Sequence, residues 1–288
     1  MASPVSHPRS TRQTGGGWRL AGVAVAAAVI AAPFAAQAQE PETGEHPPGS
    51  DADLAAKLSN PVSSMISVPI QWNYDCCIGP NDGARMTVNV QPVIPVPLND
   101  DWNLVVRTIL PIVYQQSTAP GVPRTTGISD ITQSFFFTPS HTRNGVTWAV
   151  GPVFLWPVGT EELGTQKWGA GPTGLLLKQD GGSTYGVLAN HIWSYAGDDD
   201  RGDVSQTFLQ PFFSYTTRGA TTYGLNSEAT YNWETRTWSV PINATISQLY
   251  KFGQQRVQVG AGARFYLTDE VGAPTWGLRA NATFLFPQ

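Results

Sequence analysis

Charge is what this chain has least of. Asp, Glu, Lys and Arg make up only 13% of its 288 residues, against about 25% in an average globular protein. There is no basic tract, which excludes the electrostatic footprint of nucleic-acid binding. Cysteine is limited to the adjacent pair Cys76-Cys77. Neighbouring residues bridge only through a strained ring, and no second ligand pair stands near enough for a zinc site, so the pair is read as a loop feature without a redox role. Long apolar runs are absent after the first forty residues, and mean hydropathy is slightly negative, which excludes a bundle of membrane-spanning helices. What is plentiful instead is Gly (29), Pro (23) and Trp (10). Turn formers and aromatics with few charges fit an all-β wall.

The one apolar run lies at the N-terminus. Arg9, Arg12 and Arg19 supply positive charge, Leu20 to Phe34 is Ala/Val-rich, and Ala36-Gln37-Ala38 is a small-residue cleavage site. This is the pattern of a secretory signal over residues 1–38. Its removal takes three arginines and no acid, moving the formal charge from −4 to −7. Gln39 to Ser50 is expected to be a disordered lead-in. Asp51 to Ser59 is expected to form a short helix, with Leu54 and Leu58 on one side, ended by Asn60-Pro61. Its place, at the barrel mouth or away from it, stays open. Residues 62–288 form the main domain.

The clearest signal in that domain is Arg236 to Leu267. Trp238, Val240, Ile242, Ala244 and Ile246 alternate with Ser239, Pro241, Asn243, Thr245 and Ser247. After a short turn at Lys251-Phe252-Gly253-Gln254-Gln255, Val257, Val259, Ala261, Ala263, Phe265 and Leu267 alternate with Arg256, Gln258, Gly260, Gly262, Arg264 and Tyr266. A period of two with a Gly-containing turn is a β-hairpin. A continuous apolar face opposite one that carries arginine reads as a membrane barrel strand, apolar to lipid and polar to a wet lumen.

The rest of the chain repeats this unit. Expected strands are 65–74, 85–98, 102–115, 127–138, 146–157, 168–179, 183–195, 204–217 and 221–233, then the two arms of the hairpin, and 275–286. That is twelve, an even number as in single-chain bacterial barrels. The connections after strands two, four, six, eight and ten are mostly short and most of the others are longer, which predicts that both termini lie on the periplasmic side. Pro69, Pro92, Pro95, Pro111, Pro152, Pro172, Pro211 and Pro241 fall inside strands, although proline lacks a ladder donor. The recurrence of Ser-Val-Pro-Ile (67–70, 239–242) and of Gly-Pro (151–152, 171–172) predicts a shared layer of kinks or bulges.

Alternation assigns the lumen-lining candidates as Gln71, Arg85, Asn89, Gln91, Arg107, Asp130, Lys178, Glu228, Arg264 and Arg279. Arg107, Arg264 and Arg279 must face inward, because arginine at the lipid midplane costs about 2–4 kcal/mol. Asp130 and Glu228 are the acids available to them. Such charges either select solutes in a polar pore or brace a narrow lumen that side chains fill. An enzyme reading attaches to Asn190, His191 and Ser194 beside the acidic loop 197–203. It is disfavoured because His191 and Ser194 differ by an odd number and fall on opposite faces of a regular strand. Three consecutive aspartates do not make a calcium site, and no nucleotide or zinc motif is present. No catalytic residue, metal or cofactor is expected.

Several segments resemble a known family. They are Leu58-Ser59-Asn60-Pro61, Gly79-Pro80-Asn81-Asp82-Gly83, Asn89-Val90-Gln91-Pro92-Val93-Ile94-Pro95, Asp101-Trp102-Asn103-Leu104, Lys167-Trp168-Gly169-Ala170-Gly171-Pro172, Ala189-Asn190-His191-Ile192-Trp193-Ser194 and Trp238-Ser239-Val240-Pro241-Ile242. Together, over roughly Leu54 to Pro287, they are similar to the outer-membrane "MetA-pathway of phenol degradation" group, whose members also carry the labels "transporter" and "neuromedin U". Cys76-Cys77 and the terminal Pro287-Gln288 depart from that pattern. The resemblance implies an outer-membrane β-barrel that takes up small, often aromatic, compounds and has no established catalytic residues. The combined expectation is a transmembrane antiparallel barrel of about twelve strands in the Gram-negative outer membrane. Its partners are outer-membrane lipid, a small-molecule solute and the barrel-assembly machinery. It serves for passive passage or binding of small molecules, with a lipid hydrolase around His191 or a purely structural barrel as the alternatives.

Overall fold

The structure is a computed structural model that describes residues 46–268 and 272–286. The expected signal segment, most of the lead-in and the terminal Pro287-Gln288 lie outside the described residues. One helix, α1 (Asp51–Leu58), precedes sixteen strand segments. These are β1 (Ile66–Ile78), β2 (Gly83–Val90), β3 (Val93–Pro97), β4 (Trp102–Gln115), β5 (Thr125–Ile128), β6 (Ile131–Pro139), β7 (Val146–Trp156), β8 (Lys167–Asp180), β9 (Ser183–Gly197), β10 (Ser205–Thr216), β11 (Thr221–Ser227), β12 (Ala229–Asn232), β13 (Thr237–Ser239), β14 (Pro241–Phe252), β15 (Gln255–Tyr266) and β16 (Trp276–Phe286).

The segments β2/β3, β5/β6, β11/β12 and β13/β14 are each one stave with a short interruption, so the wall has twelve staves. Every neighbouring pair is antiparallel, and β1 pairs with β16 from Ile66↔Phe286 to Cys76↔Trp276, which closes the barrel. Closure leaves no edge strand whose backbone polar groups lipid would have to solvate.

Proline accounts for the interruptions. The β2/β3 break is at Gln91-Pro92, where the Gln91 N–H reaches across to the Pro69 carbonyl at 2.8 Å. The β11/β12 break at Glu228 and the β13/β14 break at Val240 lie beside each other, where the Glu228 N–H reaches the Pro241 carbonyl at 3.3 Å. In both places the pairing resumes in the same register. At Pro111 it does not: Ile112 pairs Ile128 but Ile109 pairs Thr132, so β5/β6 carries one extra residue at Ser129-Asp130. The missing proline donor there is accommodated by a bulge. The Gly-Pro repeats have a steric reason. A Cβ on Gly151 would overlap the Phe135 carbonyl oxygen, and one on Gly171 that of His191. Glycine lets the neighbouring backbone close in where proline has removed a ladder bond.

The outer surface is an apolar band between two aromatic girdles. At the long-loop end Trp156 and Trp168 meet edge-on at 5.5 Å, and Tyr231 packs against Trp233 and Trp238. At the short-turn end Trp102 and Trp148 meet edge-on at 5.7 Å. Leu176, Leu225, Ile246, Leu278 and Val150 fill the belt between and are all about half exposed. This is the surface of a barrel built for lipid.

Candidate functional site

The lumen is the concave space of this molecule, and its two sides differ. On β1, β11/β12, β15 and β16 it is charged. Arg279 is buried and donates two hydrogen bonds to Glu228, at 2.9 and 2.8 Å, and a third from Nε to Asn73 Oδ1 at 2.8 Å. Arg264, also buried, lies 3.2 Å from Asp75 and 3.7 Å from Glu228. The Tyr266 hydroxyl donates to Asp75 at 2.9 Å, and Asn243 donates to Asn226 at 2.8 Å. Arg279 and Glu228 are three staves apart, so the pair bridges part of the lumen as well as lining it.

On β3 through β10 the inner wall carries an apolar patch alongside Arg107 and polar residues such as Ser134, Thr173 and Asn190. Val93, Val105, Phe136, Ala149, Leu175, Leu177 and Leu188 form one buried cluster, joined by Phe208, Phe212 and, from the segment after the helix, Val62. Alternation read from the sequence does not find this patch. In Phe135-Phe136-Phe137 and Leu175-Leu176-Leu177 both faces of the strand are apolar, so the polar-in rule has nothing to act on. Those triplets are themselves the signal that the interior is partly dry.

The short-turn end is filled by α1. Ser50 caps it by accepting from the Asp53 N–H at 3.1 Å. Its small face, Ala52 and Ala55, packs on Ala220, Leu249 and Leu285, with Leu54, Leu58 and Met65 around them. Polar ties hold it to the rim: Arg256 donates to Asp51 at 2.9 Å, Gln179 to the Ala56 carbonyl at 3.0 Å, and His46 meets the Thr216 carbonyl at 3.1 Å. Between the segment that follows the helix and the wall lies a cavity of about 190 Å³, lined by Leu58, Asn60, Pro61, Ser63, Ser67, Pro69, Gln71, Gln91, Val93, Arg107 and Thr283.

Of the candidates, Gln71, Asn89 and Gln91 are on the inner face, where Gln71 pairs Asn89 across β1 and β2. Arg107 is on the inner face and donates to Gln91 at 3.0 Å. Arg85 has inner parity but sits at the exposed long-loop rim, bonded to Gln115 at 2.8 Å. Arg264, Arg279 and Glu228 are brought together as described. Two placements are corrected. Lys178 is on the outer wall: it pairs Val146, shares a face with Leu176 and Trp148, and reaches Asp180 at 3.5 Å at the short-turn rim. The inner positions of β8 are taken by Leu175 and Leu177 instead. Asp130 is buried, but it is no partner of the arginines. It stands in the bulge opposite Pro111, and its carboxylate accepts from the N–H of Gly159 at 3.0 Å and from the N–H and hydroxyl of Thr165, each at 2.6 Å. It therefore clamps the loop 157–166. The acid missed in its place is Asp75, because β1 runs four residues past Tyr74, to Ile78, with a bulge at Cys76-Cys77 on the way.

His191 faces outward. Its Nδ1 lies 2.7 Å from the Thr207 hydroxyl, which also accepts from Trp233 Nε1 at 2.9 Å, and its ring packs on Trp193 at 4.0 Å. Ser194 is on the opposite face, where it donates to Asp203 at 3.1 Å and accepts from the Val204 N–H at 3.0 Å. The histidine and the serine do not meet.

No family model matches the chain, and no curated protein matches it either. Among solved structures it is similar to the COG4313 outer membrane channel from Pseudomonas putida F1. The TM-score is 0.60 at 13% identity, over 77% of this chain and 96% of that one. At that identity the likeness establishes the barrel fold. Weaker similarities reach the NanC porin (TM-score 0.47, 7% identity, 77% and 100% of the two chains) and the outer membrane phospholipase A of Escherichia coli (0.47, 10%, 81% and 98%).

Proposed function

We propose that this chain is an outer-membrane barrel for passive passage of small molecules, with both described ends and α1 on the periplasmic side. The observation that carries the reading is the lumen itself: a charged side and an apolar side within one closed wall, with a cavity against that wall beneath the segment after the helix, inside a surface made for lipid. Unlike sides of this kind suit solutes with one polar end and one apolar body. The similarity to a solved outer-membrane channel supports the same reading. The phenol-degradation resemblance would narrow the solutes to small aromatic compounds.

A lipid hydrolase is the second reading, favoured only by the outward His191–Thr207 contact. That pair has a base next to a hydroxyl, but His191 Nε2 is buried without a hydrogen-bond partner among the described residues, so none of them orients the ring as nucleophilic catalysis requires. Reconstituted protein assayed for solute-driven liposome swelling and for fatty-acid release separates the two. Swelling with no release is the expected result. Release that disappears in His191→Ala would replace this reading with the hydrolase.

A further inference from the structure

We propose that the cavity beneath the helix is a binding site for a small organic monocarboxylate, with Arg107 holding the carboxylate. The inference rests on the passage reading and names the solute class that this lumen favours.

The argument starts from charge. Three arginines and two acids meet in the middle of the lumen. Arg279 and Arg264 hold the ion pairs with Glu228 and Asp75, so of the three arginines Arg107 alone has no ion pair among the described residues and feels Glu228 only at longer range. Its one bond to protein is to the Gln91 side chain. A guanidinium carries five N–H donors in a planar fork that matches the two oxygens of a carboxylate. Most of that fork is therefore unspent. An arginine away from bulk water that shares its acid with two closer arginines is under-compensated and costly, so its persistence points to an anion that visits.

The second part of the argument is shape. The cavity of about 190 Å³ is larger than the roughly 150 Å³ apolar cavity that takes up one benzene molecule. An occupant of that size or slightly more fits. Its lining is mixed: Arg107, Gln91 and Gln71 present polar groups among Leu58, Pro61, Pro69 and Val93, with Val93 directly across the strand pair from Arg107, and the remaining four lining residues are polar. An inorganic anion would leave that apolar surface unused, and a neutral solute would leave the fork unpaired. A carboxylate on a short apolar body satisfies both. Leu58 and Pro61 belong to the segment leading out of α1, so the site is assembled only when the N-terminal segment is docked.

The test is calorimetric titration of the full-length protein, folded in detergent, with hexanoate, hexanamide and sulfate as probes. Hexanoate is expected to bind saturably. Hexanamide should bind about tenfold more weakly or worse, the loss of one charge-assisted pairing, and sulfate should not compete. Arg107→Gln should weaken hexanoate by a similar factor, and Arg107→Lys should recover part of it. Val93→Trp fills the cavity beside Arg107 and should abolish binding with the guanidinium intact. It decides the matter if Arg107→Gln fails to show the heat-modifiable migration of a folded barrel. Equal binding of hexanoate and hexanamide, competition by sulfate, unchanged binding in folded Arg107→Gln, or no binding of hexanoate at all would each overturn the proposal. Potassium chloride conductance in planar bilayers keeps the two readings apart: current without hexanoate binding rejects the site alone, and hexanoate binding without current rejects passage alone.

Discussion

Glu228 is the residue on which the lumen's charges converge. It stands in the backbone break opposite Pro241 and takes both remaining directions of the Arg279 fork. Burying such a pair yields little net stability, but removing one member leaves the other charge stranded. Arg279→Met is therefore expected to destabilise the barrel by about 3 kcal/mol, read from urea unfolding in vesicles. The double variant Arg279→Met/Glu228→Gln should recover most of that loss; a double variant no better than the single one would show that the pair does not act as a unit. The inward direction of Arg107, Arg264 and Arg279 was legible in the sequence, because lipid forbids the other face and alternation identifies it. Asp75 was not legible, because the adjacent cysteines read as the start of a loop while the strand in fact continues through them by way of a bulge, with Cys77 in the left-handed region at φ 66°.

At the scale of elements, the twelve staves follow the periodicity closely, and β4 has the expected limits, Trp102 to Gln115. Where prolines interrupt a strand, the register survives at most positions, since a missing donor removes one bond without displacing the rest. The bulge at Ser129-Asp130 and the outward Lys178 were illegible for a common reason. Each lies where the polar-apolar contrast between faces fails, so nothing in the local pattern fixes the phase. The helix was legible as a helix but not as a plug, because its docking surface centres on Ala52 and Ala55, and small residues announce a close approach only once the facing wall is known. Ala55 is fully buried. Ala55→Trp cannot be accommodated without moving the helix. We expect faster cleavage by added protease near residues 46–61 and a larger channel conductance, with the barrel still folded. Unchanged cleavage and conductance would mean that the helix does not close this end.

For the molecule as a whole, the proposed orientation rests on the asymmetry of the connections. The turn at 98–101 is tight, and the loops at 116–124, 157–166 and 198–204 are longer. In a Cys76→Ser/Cys77→Ser background, an impermeant thiol reagent on intact cells is expected to label Asp199→Cys and not Asp100→Cys. Labelling of Asp100→Cys alone would invert the barrel and put the helix at the cell surface.

The central claim is that small solutes cross this lumen between its charged and apolar sides, past a helix that narrows one mouth. Its most direct test is single-channel current in planar bilayers, measured for the wild type and for a chain lacking residues 46–61. The expected result is small unitary steps from the wild type and clearly larger steps from the shortened chain, both carried by folded, heat-modifiable protein. Folded protein that passes no current in either form would contradict the claim and leave a barrel whose interior is only a brace.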